Sequence, residues 1–145
     1  MAEHDTICLL KECDSGIQMG IQSINETLQD VQDANVVRIL QSAREEHEAL
    51  QKDCVRLLAG SHDTGKSPSI LVQGMGKVKT AMKMAVSSDT SRTAAGLITD
   101  GCNMGIKSLN RYLNEYKNAS AQARSLAQRL IHSEEKLLDD LKGYL

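Results

Sequence analysis

His47 is the residue of this chain whose type and spacing most invite chemistry. It interrupts an apolar helical stripe of Val36, Leu40, Ala43, His47, Leu50, Cys54 and Leu57. A second stripe, Ile7, Leu10, Asp14, Ile17, Ile21, Ile24, Leu28 and Val31, is interrupted in the same way by Asp14. An imidazole and carboxylates aimed at one interior suit Zn, Mn or Fe(II), and the candidate ligands are Asp14, His47, Asp100 and Glu134, with Glu45 nearby. The plainer role is a polar tie in the core, with His47 hydrogen-bonded to Asp14, Gln18 or Glu134 and fixing helix register. His132 aligns with Ser125, Gln128, Arg129, Lys136 and Asp139 on a polar face and is expected to point outward.

Other catalytic arrangements find little support. Cys8, Cys13, Cys54 and Cys102 form no Cys-x-x-Cys pair and fall on apolar helical faces, so they read as reduced thiols used as small core residues in a cytoplasmic protein. Cys102 beside Asn103 has no histidine spaced to act as its base. Gly74-Met75-Gly76 and the segment Gly101 to Gly105 follow no strand and match no phosphate loop. Neither Gly-x-Ser-x-Gly nor His-Glu-x-x-His occurs. No catalytic residue, cofactor-binding residue or cofactor is assigned.

The elements that carry these residues follow from an internal repeat. Met19-Gly20-Ile21-Gln22-Ser23-Ile24-Asn25 returns as Met104-Gly105-Ile106-Lys107-Ser108-Leu109-Asn110. Each copy lies inside a long helical pattern followed by a second one, which predicts two helical hairpins spanning 5–59 and 90–143, joined by a crossover at 60–89. Asp5 is the expected N-cap of the first helix, and Ser87 to Thr90 supplies the cap of the third. Within the crossover, Leu71, Met75, Val78, Met82 and Ala85 outline a short helix. The chain has 145 residues, one Pro, no Trp or Phe and three Tyr, so its core must be aliphatic. The resulting expectation is one all-α domain over 1–145, a four-helix bundle with one long crossover. Gly16, Gly20, Gly101 and Gly105 read as small steps that let helices approach.

That connectivity, with Asp100-Gly101 and the looser Asp14-Ser15-Gly16 ahead of the repeated segments, resembles the ferritin-like superfamily. Within it, the chain is similar to an uncharacterised bacterial family of ferritin-like bundles described as a domain of unknown function. The resemblance implies a di-iron site with an inward Glu on the first and third helices and Glu-x-x-His on the second and fourth. Counting outward from the turns, Gln18 lies level with His47 and Asn103 with Glu134, so amides stand where carboxylates belong. Arg44-Glu45-Glu46-His47 and Arg129-Leu130-Ile131-His132 each carry Arg in place of the first Glu, and a guanidinium repels a metal ion. The di-iron site therefore reads as degenerate.

Surface features bound the partners. The net charge of -2 gives no global case for nucleic acid, and no apolar run approaches the roughly 20 residues of a membrane span. Met1-Ala2-Glu3-His4-Asp5 lacks the basic start of a signal peptide. The connector at 60–92 is basic, with Lys66, Lys77, Lys79, Lys83 and Arg92 against Asp63 and Asp89, and could seat a protein partner. Val37, Ile39, Val55, Leu58, Leu97, Met104 and Ile131 widen the apolar stripes, which suggests a homodimer built on helix faces. Two functions are compatible with this: a non-enzymatic, self-associating scaffold or stress-related bundle, or a metal-binding protein (Fe, Mn or Zn) using a reduced His/carboxylate set.

Overall fold

A computed structural model describes residues 2–61 and 89–145. Four helices dominate it: α1 (Ala2–Leu28), α2 (Ala34–Gly60), α3 (Thr90–Glu115) and α4 (Ala121–Leu141), with a 3-10 turn at Lys142–Tyr144. No strand occurs among the described residues. The expected crossover helix and most of the basic connector lie outside them.

Three of the four helices start on a side-chain cap. The Asp33 carboxylate accepts the Asn35 and Val36 N–H groups at 2.8 and 3.2 Å. Asp89 accepts from Arg92 N–H at 3.0 Å, and Ser120 Oγ from Ala123 N–H at 3.2 Å. Each satisfies a donor that the first helical turn leaves without a partner. Asp5 departs from expectation. It lies inside α1, which already begins at Ala2, and its carboxylate accepts the Asn118 N–H at 3.0 Å. Thr6 Oγ1 likewise accepts from Ser120 N–H at 2.8 Å.

Those two bonds fix the directions of the helices. The turn between α3 and α4 docks at the start of α1, whereas the turn between α1 and α2 lies at the end of α1. Hence α3 runs antiparallel to α1 and parallel to α2. In cross-section α1 adjoins α2 and α3, and α4 adjoins the same two, leaving α2 and α3 on a diagonal. A helix of this length spans about 40 Å, so the chain between α2 and α3 links opposite ends of the bundle.

The core is aliphatic and comes in two clusters. One gathers Leu9, Leu10, Cys13, Ile17, Leu50, Cys54, Leu58, Leu109, Leu126 and Leu130 near the α3–α4 turn. The other gathers Ile24, Val31, Val36, Leu40, Ala43, Ile98, Cys102, Leu137 and Leu141 near the α1–α2 turn. Leu58 and Ile131, read from the sequence as surplus apolar surface, belong to the core at 2% and 9% exposure. Val55 and Met104 remain on the surface.

This burial pattern predicts a sharp contrast. Leu10→Ala should lower unfolding free energy by about 2–5 kcal/mol, whereas Val55→Ala should stay within roughly 0.5 kcal/mol of the parent. Urea unfolding followed by circular dichroism checks both.

Candidate functional site

Between the two apolar clusters lies a polar layer. On α2, His47 follows Ala43 of one cluster and precedes Leu50 of the other; on α4, Glu134 stands between Ile131 and Leu137 in the same way. His47 is 1% exposed, and its Nε2 lies 3.2 Å from Glu134 Oε1. Its Nδ1 is 2.8 Å from the Ala43 carbonyl oxygen, which can only accept, so Nδ1 carries a hydrogen. Burial opposes a charge on this ring. The Glu134 hydrogen bond and charge, the Ala43 carbonyl and the Glu46 charge outweigh that opposition and hold His47 above its ordinary value. When protonated, the ring donates from both nitrogens, one of them to a carboxylate.

Two glycines face the pair, and Gly20 makes room for it. A Cβ on Gly20 would come within 2.9 Å of His47 Cδ2 and 3.0 Å of Nε2. One on Gly105 would lie 3.4 Å from Glu134 Oε2. These are the matching glycines of the repeated segment. Gly16 makes only an ordinary contact with Leu130, and Gly101 faces open space, so neither is a close-approach position. The facing residues are therefore Gly20 and Gly105, each two positions nearer its turn than the expected Gln18 and Asn103. Side chains lean toward the N-terminus of their own helix. On α2 and α4 that direction points at the turn, so each side chain meets the partner helix closer to it.

A rim of polar groups closes the layer on the α2–α4 side. Ser133 Oγ donates to Glu46 Oε2 at 2.9 Å, and Lys136 Nζ to Glu46 Oε1 at 3.0 Å. Despite partial burial, these two groups hold the Glu46 carboxyl below its usual range. From α3, the Cys102 thiol lies beside Glu134. Burial, reinforced by that carboxylate, pushes its pKa far up, so the thiol stays protonated.

The remaining sequence candidates are dispersed. Asp14 is buried, but it accepts from Gln18 Nε2 at 2.8 Å and sits among the residues of the other cluster. It precedes Gly20 by six residues, about 9 Å along the helix. Asp100 and Glu45 are exposed, as is His132. Arg44 donates to Asn25 Oδ1 at 2.9 Å and Arg129 to Asp53 Oδ2 at 3.0 Å, so both guanidiniums are engaged with groups on outer faces. Among the described residues, no three of His, Cys, Asp or Glu gather to hold a metal ion. The donor set does not fit a di-iron centre, since one carboxylate and one imidazole already neutralise each other. Sequence reasoning missed Gly20, Gly105, Glu46 and Ser133 as parts of the layer. The repeat itself carried the signal for the glycines.

Breaking the pair should cost more than removing it. His47→Leu or Glu134→Leu leaves one buried ionisable group alone and should destabilise by about 3–5 kcal/mol, while the double Leu variant should recover most of the loss. The pair also sets a pH dependence. The His47 pKa is higher folded than its ordinary 6.5, so its contribution is complete below that value and disappears as pH rises through the folded pKa. Urea unfolding between pH 5 and 9 should show stability declining on the alkaline side in the parent, and no such His-linked decline in the double variant.

No family model matches this sequence, and no curated protein does. The chain is similar in structure to the crystal structure of a DUF305 fragment from Deinococcus radiodurans, with a TM-score of 0.77 over 96% of this chain and 93% of that one. The two share 10% sequence identity. At that identity the likeness shows the fold alone: this chain is an all-α four-helix bundle, as that fragment is its structural neighbour.

Proposed function

We propose that this chain is a non-enzymatic, self-associating cytoplasmic bundle, a scaffold or stress-related protein, whose middle layer is a degenerate ferritin-like metal site. The observation that carries this reading is the closed His47–Glu134 pair seated on Gly20 and Gly105. In a ferritin-like bundle, bridging carboxylates from four helices would converge there and supply the negative charge that holds two cations together. Here two adjacent helices, α2 and α4, contribute the pair, and at their closest positions to it α1 and α3 contribute glycine.

A ferritin-like relation between the hairpins is supported by position. His47 stands fourteen residues after the N-cap Asp33, and Glu134 fourteen after the N-cap Ser120. The two are therefore equivalent places in the two hairpins, facing each other across a pseudo-two-fold axis. Self-association is proposed on helix faces that present apolar side chains to water, Val55 at 54% and Met104 at 66% exposure. The other reading, a reduced His/carboxylate site for Fe, Mn or Zn, starts from His47 Nε2 and Glu134 Oε1 and needs a further ligand.

Protein purified without a histidine tag and analysed by plasma mass spectrometry should hold Fe, Mn and Zn well below one per chain. Stoichiometric metal that is lost in His47→Leu would replace the scaffold reading with the metal-binding one. Sedimentation equilibrium of the same sample should give a dimer; a single species near 15.8 kDa removes self-association.

A further inference from the structure

The fourth cysteine does not behave as the sequence suggested. Cys13, Cys54 and Cys102 are sealed in the core at 0%, 0% and 4% exposure. Burial raises all three thiols, Cys54 to about 12 and the other two further still. The Cys54 thiol also donates to the Leu10 carbonyl at 3.2 Å. Such thiols are neither accessible nor deprotonated, and thiol chemistry requires both. Cys8 differs in access and in its neighbour. It is partly exposed on α1, and its Sγ lies 3.5 Å from His4 Nε2 and 4.0 Å from His4 Nδ1, one helical turn away. With similar distances to both nitrogens, the sulfur stands off the ring edge between them. The second histidine torsion is broad, so a small rotation brings either nitrogen into line with the thiol hydrogen.

The surroundings make this pair more than one accessible thiol. Asp5 and Thr6, just before Cys8, anchor the α3–α4 turn to α1. That anchoring places Tyr116 near Cys8, close enough for the sulfur to be among the groups that raise the tyrosine hydroxyl, after burial and Glu115. Tyr116 stacks on Tyr112 with ring centroids 6.3 Å apart, and the Arg111 guanidinium lies over Tyr112 at 5.3 Å from its centroid. A nucleophile, a base and an aromatic ledge topped by a cation thus share one end of the bundle.

We propose that Cys8 is a thiol–disulfide exchange site for low-molecular-weight disulfides, with His4 as its base. The Cys8 thiol proton passes to the His4 imidazole as Sγ attacks one sulfur of the disulfide R–S–S–R. The Sγ–S bond forms, the S–S bond breaks, and the departing RS⁻ takes the proton back from the imidazolium and leaves as RSH. The products are a mixed disulfide on Cys8 and one free small thiol, with His4 neutral again. The incoming disulfide is the oxidant, and a small thiol reverses the step. The bound RS group lies beside Tyr116.

The test uses the whole folded chain and glutathione disulfide. Peptide mapping by mass spectrometry should find one adduct per chain, on Cys8, released by added glutathione, and none in Cys8→Ser. His4→Gln removes the base while leaving helix content unchanged by circular dichroism. It should slow adduct formation about tenfold, less than a fully enclosed base provides because this pair is open to water. Adducts spread over Cys13, Cys54 and Cys102, or a His4→Gln rate equal to the parent's, would overturn the proposal.

Discussion

The architecture depends on one constraint: a charge cannot be left alone in the middle of an aliphatic bundle. Desolvating an isolated carboxylate or imidazolium costs several kcal/mol even after the protein relaxes. His47 and Glu134 meet that requirement only together, at 3.2 Å, with the Ala43 carbonyl taking the remaining imidazole N–H. Both side chains must arrive at one level, which sets the height of α2 against α4. His47 must also be admitted by α1, where Gly20 leaves the space a Cβ would take, while a Cβ on Gly105 of α3 would lie at ordinary contact distance from Glu134. Flanked by hydrocarbon above and below, the pair tells four otherwise similar amphipathic helices where to stop sliding.

The charges of this layer are answered by protein groups. Bridging carboxylates bring excess negative charge that a pair of divalent ions cancels. Here a single interior carboxylate faces a single imidazole, and each finds its hydrogen-bond partners among protein groups. Glu46, the second carboxylate of the neighbourhood, is itself answered by Lys136 and Ser133. Arg44 and Arg129 engage Asn25 and Asp53 on outer faces, where water and surface partners solvate them.

Much of this was legible before any coordinates. Steps of three and four located the buried faces, because helical periodicity depends only on which side chains avoid water; Leu10, Ile17, Leu40, Cys54, Ile98, Leu113 and Leu126 are all buried where the stripes put them. His47 and Asp14 are inside and His132 outside for the same reason. The pairing across helices was less accessible. Counting residues outward from a turn treats side chains as perpendicular to the axis, and their lean shifted each contact by two positions. The two hairpins also differ in length, with 13 residues from Gly20 to Asp33 and 15 from Gly105 to Ser120. Glu134 was already among the partners the sequence offered His47, beside Asp14 and Gln18, and the packing selects it. Asp5 misled because a carboxylate near a helix start caps so often that its use by a turn more than a hundred residues away leaves no local trace.

That last contact carries a consequence for how the chain assembles. Asp5 and Thr6 receive the backbone N–H groups of Asn118 and Ser120, 113 and 114 residues downstream. Ribosomes deliver the chain from its N-terminus, so the first helix is synthesised long before its closing latch exists. Until residue 120 emerges, the α1–α2 hairpin carries an apolar stripe with no second hairpin to cover it. Closure is therefore a late, long-range event, and the speed of this bundle is set by loop search more than by helix formation, which takes well under a millisecond.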